Sequence, residues 1–193
     1  MLHASNSSFS LRGRTLASTL AVLSLIGGTM LVGCGGGGGS TPPNNNPGAG
    51  TGGVSATFSN ASGTNANTSA FQSSQVLAQT SSGAFTLLNI TGTNISGSTS
   101  RTFLISLADN GPIQAGKTYT FASPSPSTLS YTESAGATAH GWVATGGSAI
   151  VDSITGKNYK VRLVNATLTS GEDNGSGATG SFTVNGTANV TLP

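Results

Sequence analysis

From residue 54 onward, apolar and polar side chains alternate with a period of two. Phe103, Ile105 and Leu107 are set off by Leu104 and Ser106. Tyr119 and Phe121 flank Thr120. Tyr159, Val161 and Leu163 alternate with Lys160 and Arg162. Ala188, Val190 and Leu192 alternate with Asn189 and Thr191. A period of two places one set of side chains on a buried face and the other toward water, so the pattern predicts antiparallel strands. Turn residues punctuate it at Ser82-Gly83, Ser96-Gly97, Asn110-Gly111-Pro112, Gly146-Gly147, Thr155-Gly156 and Asn185-Gly186. No stretch sustains a helical period, although Ser69–Gln79 is ambiguous and has room for one helical turn. The expectation is an all-β domain over 54–193, an antiparallel sandwich or flattened up-and-down barrel of about nine to ten strands.

Two local features sharpen this. After Leu163 the apolar parity moves to Val164, Ala166 and Leu168. A shift of one residue turns side chains to the other face, so a bulge or sharp bend is expected near Leu163–Asn165. Asn185-Gly186 predicts a hairpin. A three-residue loop with Gly186 left-handed would set Phe182 opposite Ala188 and keep the apolar face intact.

The N-terminus has a different pattern. Arg12 and Arg14 precede an apolar stretch from Leu16 to Val32, which ends in small residues before Cys34, the sole cysteine. The stretch is about 17 residues, the lower limit for a spanning helix. Ser18, Thr19, Ser24, Gly27, Gly28 and Thr29 dilute it, so residues 1–33 read as an export signal. Residues 34–53 hold Gly, Pro, Asn, Ser and Thr with almost nothing to bury, and read as a disordered tether.

Leu31-Val32-Gly33-Cys34 resembles the lipobox of bacterial lipoproteins. The resemblance implies cleavage after Gly33 and thioether-linked diacylglycerol on Cys34, whose amine is acylated too in many Gram-negative bacteria; no cofactor is expected beyond that lipid. It also implies a membrane partner through that anchor, in the bacterial cell envelope. Gly35, not being Asp, implies transfer to the outer membrane, with the side of the membrane left open. Two or more acyl chains anchor stably, at about 0.8 kcal/mol per buried methylene. The remainder resembles lipoproteins carrying a single small β domain, through Gly-Lys-Thr-Tyr at 116–119 and Gly-x-Phe-x-Val-x-Gly at 180–186. No functional residues follow from that likeness.

Composition narrows the chemistry. Only 6% of residues are charged, against about 25% in an average domain. Beyond residue 33, Arg101, Lys117, Lys157, Lys160 and Arg162 balance Asp109, Glu133, Asp152, Glu172 and Asp173. A neutral domain with scattered cations offers no footprint for nucleic acid. A lone cysteine allows no internal disulfide, so the fold rests on its core.

Catalytic residues are not assigned. His140 with Asp109 or Asp152, or the pair Glu133 and Asp152, would be the remote basis for a hydrolase. No Gly-x-Ser-x-Gly elbow supports it. Trp142, with Tyr131 or Tyr159, is a candidate ligand contact, although a lone Trp in a strand pattern favours a core anchor. Glu172, Asp173 and Asn174 in a glycine-rich loop form a weak calcium candidate, short of the six to eight oxygens needed. The chain therefore reads as a non-enzymatic envelope module for binding, adhesion or architecture, its protein or glycan partner open. The alternative is a small-ligand or carbohydrate binder.

Overall fold

The computed structural model describes residues 51–171 and 177–193. The expected signal, Gly33, Cys34, the tether up to residue 50, and the calcium candidates Glu172, Asp173 and Asn174 lie outside them.

The domain is all-β and antiparallel. Its ten strands are β1 (Thr51–Ser62), β2 (Phe71–Gln72), β3 (Gln75–Ser82), β4 (Thr86–Ser96), β5 (Thr99–Asp109), β6 (Thr118–Thr120), β7 (Thr128–Ala135), β8 (Thr138–Thr155), β9 (Asn158–Ser170) and β10 (Ser181–Thr191). They form one open sheet in the order β2-β1-β10-β9-β8-β7-β5-β4-β3. β8 is long enough to pair β9 on one side while β7 and then β6 pair its other side. Two-residue hairpins at Gly97-Ser98, Gly136-Ala137 and Gly156-Lys157 begin with a positive-φ glycine, the conformation that matches strand twist.

The sheet curls until its ends approach. β2 pairs β1 at Ser55 and Ala56. The Ser73 amide then donates to the Val54 carbonyl at 2.8 Å, and the Ser74 amide to the Thr93 carbonyl at 2.8 Å. Two successive residues thus step from the β1 end of the sheet to β4. Inside lies one core. Phe71, Phe103, Tyr131, Trp142 and Phe182 are buried, and Phe58 packs against them. Neighbouring rings in this group meet at 4.7–5.9 Å between centroids, a range typical of attractive edge and tilted contacts.

The predicted bulge is present. β10 pairs Val184 with Ala166 and then Gly186 with Leu163, so β9 carries one extra residue. β8 shows the same slip, from Gly146 opposite Thr167 to Ser148 opposite Val164. Asn165 takes φ 46° there, and its amide donates to Asn185 Oδ1 at 2.9 Å. The slip lets Val161, Leu163, Ala166 and Leu168 all face the core despite their change of parity.

Other expectations are corrected. Asn185-Gly186 is no hairpin: both residues lie within the continuous strand β10. Gly186 is needed for close approach, since a Cβ there would fall 2.4 Å from the Ser55 carbonyl oxygen. Gly146-Gly147 likewise lies inside β8, beside the bulge. Ser69–Gln79 holds β2 and the start of β3 rather than a helical turn. Thr51–Gly53 belong to β1 and not to the tether, because they pair with Asn189–Thr191.

Candidate functional site

Among the described residues, the ion pairs between side chains lie in three places. The largest group surrounds Arg101 on β5. Its Nε donates to the Tyr131 hydroxyl at 2.6 Å, and that hydroxyl donates to Glu133 Oε1 at 2.6 Å. Its terminal nitrogens donate to the carbonyls of Asn67 at 2.9 Å, Ser69 at 2.7 Å and Ala70 at 3.3 Å. Glu133 Oε1 also accepts the Asn67 amide at 2.7 Å. The guanidinium lies 5.4–5.7 Å from the ring centres of Phe58, Phe71 and Tyr131. Cation–π attraction thus adds to the hydrogen bonds. Together they fasten residues 67–70 over the aromatic end of the core. Burial raises the Tyr131 hydroxyl's pKa, and its bond to Glu133 adds to the effect.

The second group closes the segment between β5 and β6. Asp109 is 6% exposed and accepts from Lys117 Nζ at 2.8 and 2.7 Å and from the Tyr119 hydroxyl at 2.9 Å. The lysine hydrogen bond, with lesser help from Tyr119, holds the Asp109 pKa below the usual carboxylate value. Desolvation, then the bond to Asp109, pushes Tyr119 up to about 12. The third group is the cross-strand pair Arg162 and Asp152 on the outer surface, at 2.9 Å.

The expected catalytic pairings, His140 with Asp109 or Asp152 and Glu133 with Asp152, are not assembled. Glu133 sits opposite His140 across β7 and β8. Asp152 lies twelve positions further along β8, roughly 40 Å of strand path. Asp109 is committed to Lys117 and Tyr119. His140 is half-buried, and its Nδ1 has no hydrogen-bond partner among the described residues. Among those residues no three His, Cys, Asp or Glu side chains gather as a metal site.

Two of the three candidate ligand contacts are core residues. Trp142 and Tyr131 are both 0% exposed and show no ring face to solvent. Trp142 packs on Tyr131 and Phe182, and its indole N–H donates to the Thr179 carbonyl at 3.0 Å. Tyr159 is partly exposed, in a hollow of about 260 Å³ with Asn158, Lys160 and Asn189. The larger hollow, about 580 Å³, is an open groove at the bulge with a mainly apolar surface, Phe71, Leu163 and Val164 among its lining, around which stand the polar side chains of Gln72, Arg162, Asn185 and Thr187.

Sequence reasoning missed Arg101 as the hub. The available signal was a lone arginine at the start of the strand that continues into Phe103, Ile105 and Leu107, the only cation between residues 54 and 116. It also missed the lysine and tyrosine that engage Asp109, because that contact depends on the path of the loop between β5 and β6. No protein-family model, curated protein or solved structure matches the chain.

Proposed function

We propose that this chain is a lipid-anchored, non-catalytic β module of the bacterial cell envelope, serving binding, adhesion or surface architecture outside the cytoplasm. Leu31-Val32-Gly33-Cys34, placed directly after an apolar stretch and containing the sole cysteine, carries the reading. Cys34 is the anchor, held by its acyl chains. The intervening Gly-, Pro- and Asn-rich residues 35–50 supply an r.m.s. reach of roughly 22 Å between lipid and domain. The ion pairs of the domain support the non-catalytic part, since each one ties a loop or a neighbouring strand in place.

Detergent phase partitioning with fatty-acid labelling tests the anchor. The wild-type chain is expected to take up label and enter the detergent phase. Cys34→Ser is expected to lose the label and to accumulate uncleaved or in the aqueous phase. Equal labelling and partitioning of the two would overturn the reading. A tag after Pro193, probed by protease on intact and lysed cells, then reports which side of the membrane the domain faces.

A second reading, binding of a neutral glycan, is favoured by the groove whose apolar floor suits a sugar-ring face and whose polar side chains are Gln72, Asn185, Arg162 and Thr187. Amides, hydroxyls and a guanidinium are the groups that bond sugar hydroxyls. Binding on a glycan array that Arg162→Ala weakens at least tenfold would support it. An array without any signal would sink it.

A further inference from the structure

An open sheet has edges, and an unpaired edge is a template for another strand. Most edges of this sheet are blunted. β2 has two residues and β6 has three. The free stretch of β1 is broken by a register shift between Ser59 and Ser62 and by φ 51° at Asn60. The end of β8 carries a register shift between Val151 and Ser153 and the charged Asp152. β3 has none of these protections. All eight of its residues, Gln75 to Ser82, pair β4 in unbroken register. Its opposite edge pairs no strand among the described residues. It contains no charge, no proline and no bulge. Leu77 on its outer face is 38% exposed, and Ile95 on the adjacent strand is 46% exposed.

We propose that β3 is a self-association edge, pairing antiparallel with β3 of a second copy of this chain so that two sheets join into one. The residues favour a copy over a foreign strand. A two-fold axis at Leu77 places Leu77 opposite its own copy on the outer face. The same register sets Val76 opposite Ala78 on the core side, and Gln75 opposite Gln79. Every opposed pair then matches in polarity, which is how cross-strand pairs stabilise a sheet. With no charge on either strand, like-charge repulsion does not oppose the pairing. The proposal is independent of the lipid anchor and stands or falls without it.

The test uses the full chain carrying Cys34→Ser, in mild detergent, so that an introduced thiol is the only one. Light scattering after gel filtration is expected to give twice the chain mass at high concentration. Leu77→Cys is expected to form a disulfide dimer on mild oxidation. Thr80→Cys falls about 20 Å from its copy in this register and is expected to remain uncrosslinked. Leu77→Lys is expected to yield monomer with an unchanged circular dichroism spectrum. If Leu77→Lys fails to fold, Gln79→Lys replaces it, with the same expectation. A wild-type chain that stays monomeric at every concentration overturns the proposal. So does a dimer that persists in the folded lysine variant, or equal crosslinking at positions 77 and 80.

Discussion

Arg101 reaches Glu133 through a phenol. Their closest charged atoms are 4.0 Å apart, and the Tyr131 hydroxyl fills the gap, accepting from the arginine and donating to the carboxylate at 2.6 Å each. Both charged side chains are largely buried, at 13% and 17% exposed. A buried charge is costly unless hydrogen-bonded, and here each partner of the relay satisfies the next. The same three side chains hold residues 67–70, which lead into β2, the strand that brings the ends of the sheet together.

The relay predicts an ordered set of losses. Tyr131→Phe keeps the ring packing but removes the bridge, and is expected to cost about 1–3 kcal/mol, the range for a buried partner left unsatisfied. Arg101→Ala removes the hub and leaves Glu133 without its cation. Its cost is expected to be larger, about 3–5 kcal/mol. Urea denaturation measures both. Limited proteolysis should show faster cleavage near residues 64–70 in Arg101→Ala than in Tyr131→Phe. Equal cleavage in the two variants would mean that Arg101 does not hold that segment.

Asp109 predicts acid sensitivity. Its folded pKa lies below the unfolded value, so its contribution is present above the unfolded pKa and is lost as pH falls through the folded one. Urea midpoints of the wild-type chain are expected to drop below about pH 4, near the ordinary aspartate value. Asp109→Asn is expected to be less stable at pH 7 and to show a smaller drop. A wild-type midpoint that stays flat down to pH 2 would refute the linkage.

Tyr119 predicts the opposite limb. Its folded pKa, near 12, exceeds the ordinary tyrosine value of 10.0, so stability is expected to fall as pH rises between those values. In Tyr119→Phe that alkaline loss is expected to shrink. Ultraviolet titration should show Tyr119 and Tyr131, both raised by burial, ionising in step with unfolding, and Tyr119→Phe is expected to remove one of the two.

Much of the fold was legible because strand period and core coincide. Phe103, Ile105, Leu107, Val161 and Leu163 are all buried as their alternation requires. The parity change after Leu163 located the bulge for the same reason: a core face must stay continuous through a slip in register. Glycine was read less well. A glycine that opens a turn and one that admits a neighbouring backbone look alike along the chain. Gly97 and Gly156 are of the first kind, Gly147 and Gly186 of the second. The ion-paired groups were illegible for a related reason. Asn67, Arg101 and Glu133 meet only after the sheet has curled, and no local spacing encodes that contact.

The last prediction concerns the bulge, where the extra residue of β9 lies between two glycines. Gly147 on β8 has φ 82°, and a Cβ there would fall 2.4 Å from the Asn165 carbonyl oxygen. Gly186 on β10 would bring a Cβ within 2.4 Å of the Ser55 carbonyl oxygen. In both cases the obstacle is backbone, which cannot swing aside as a side chain does. Gly186→Ala is therefore expected to cost about 1–3 kcal/mol, the range for overpacking. Gly147→Ala adds left-handed strain to its clash and is expected to cost more. Asn165→Gly tests the other side of the relationship. It relieves the positive φ and retains the amide that bonds Asn185 Oδ1, so its effect is expected to stay within about 0.5 kcal/mol, as for mild surface changes. Thermal and urea unfolding of the three variants decide the matter. If Gly147→Ala and Gly186→Ala are as stable as Asn165→Gly, Gly147 is not what makes room for the bulge, nor Gly186 for the backbone of β1.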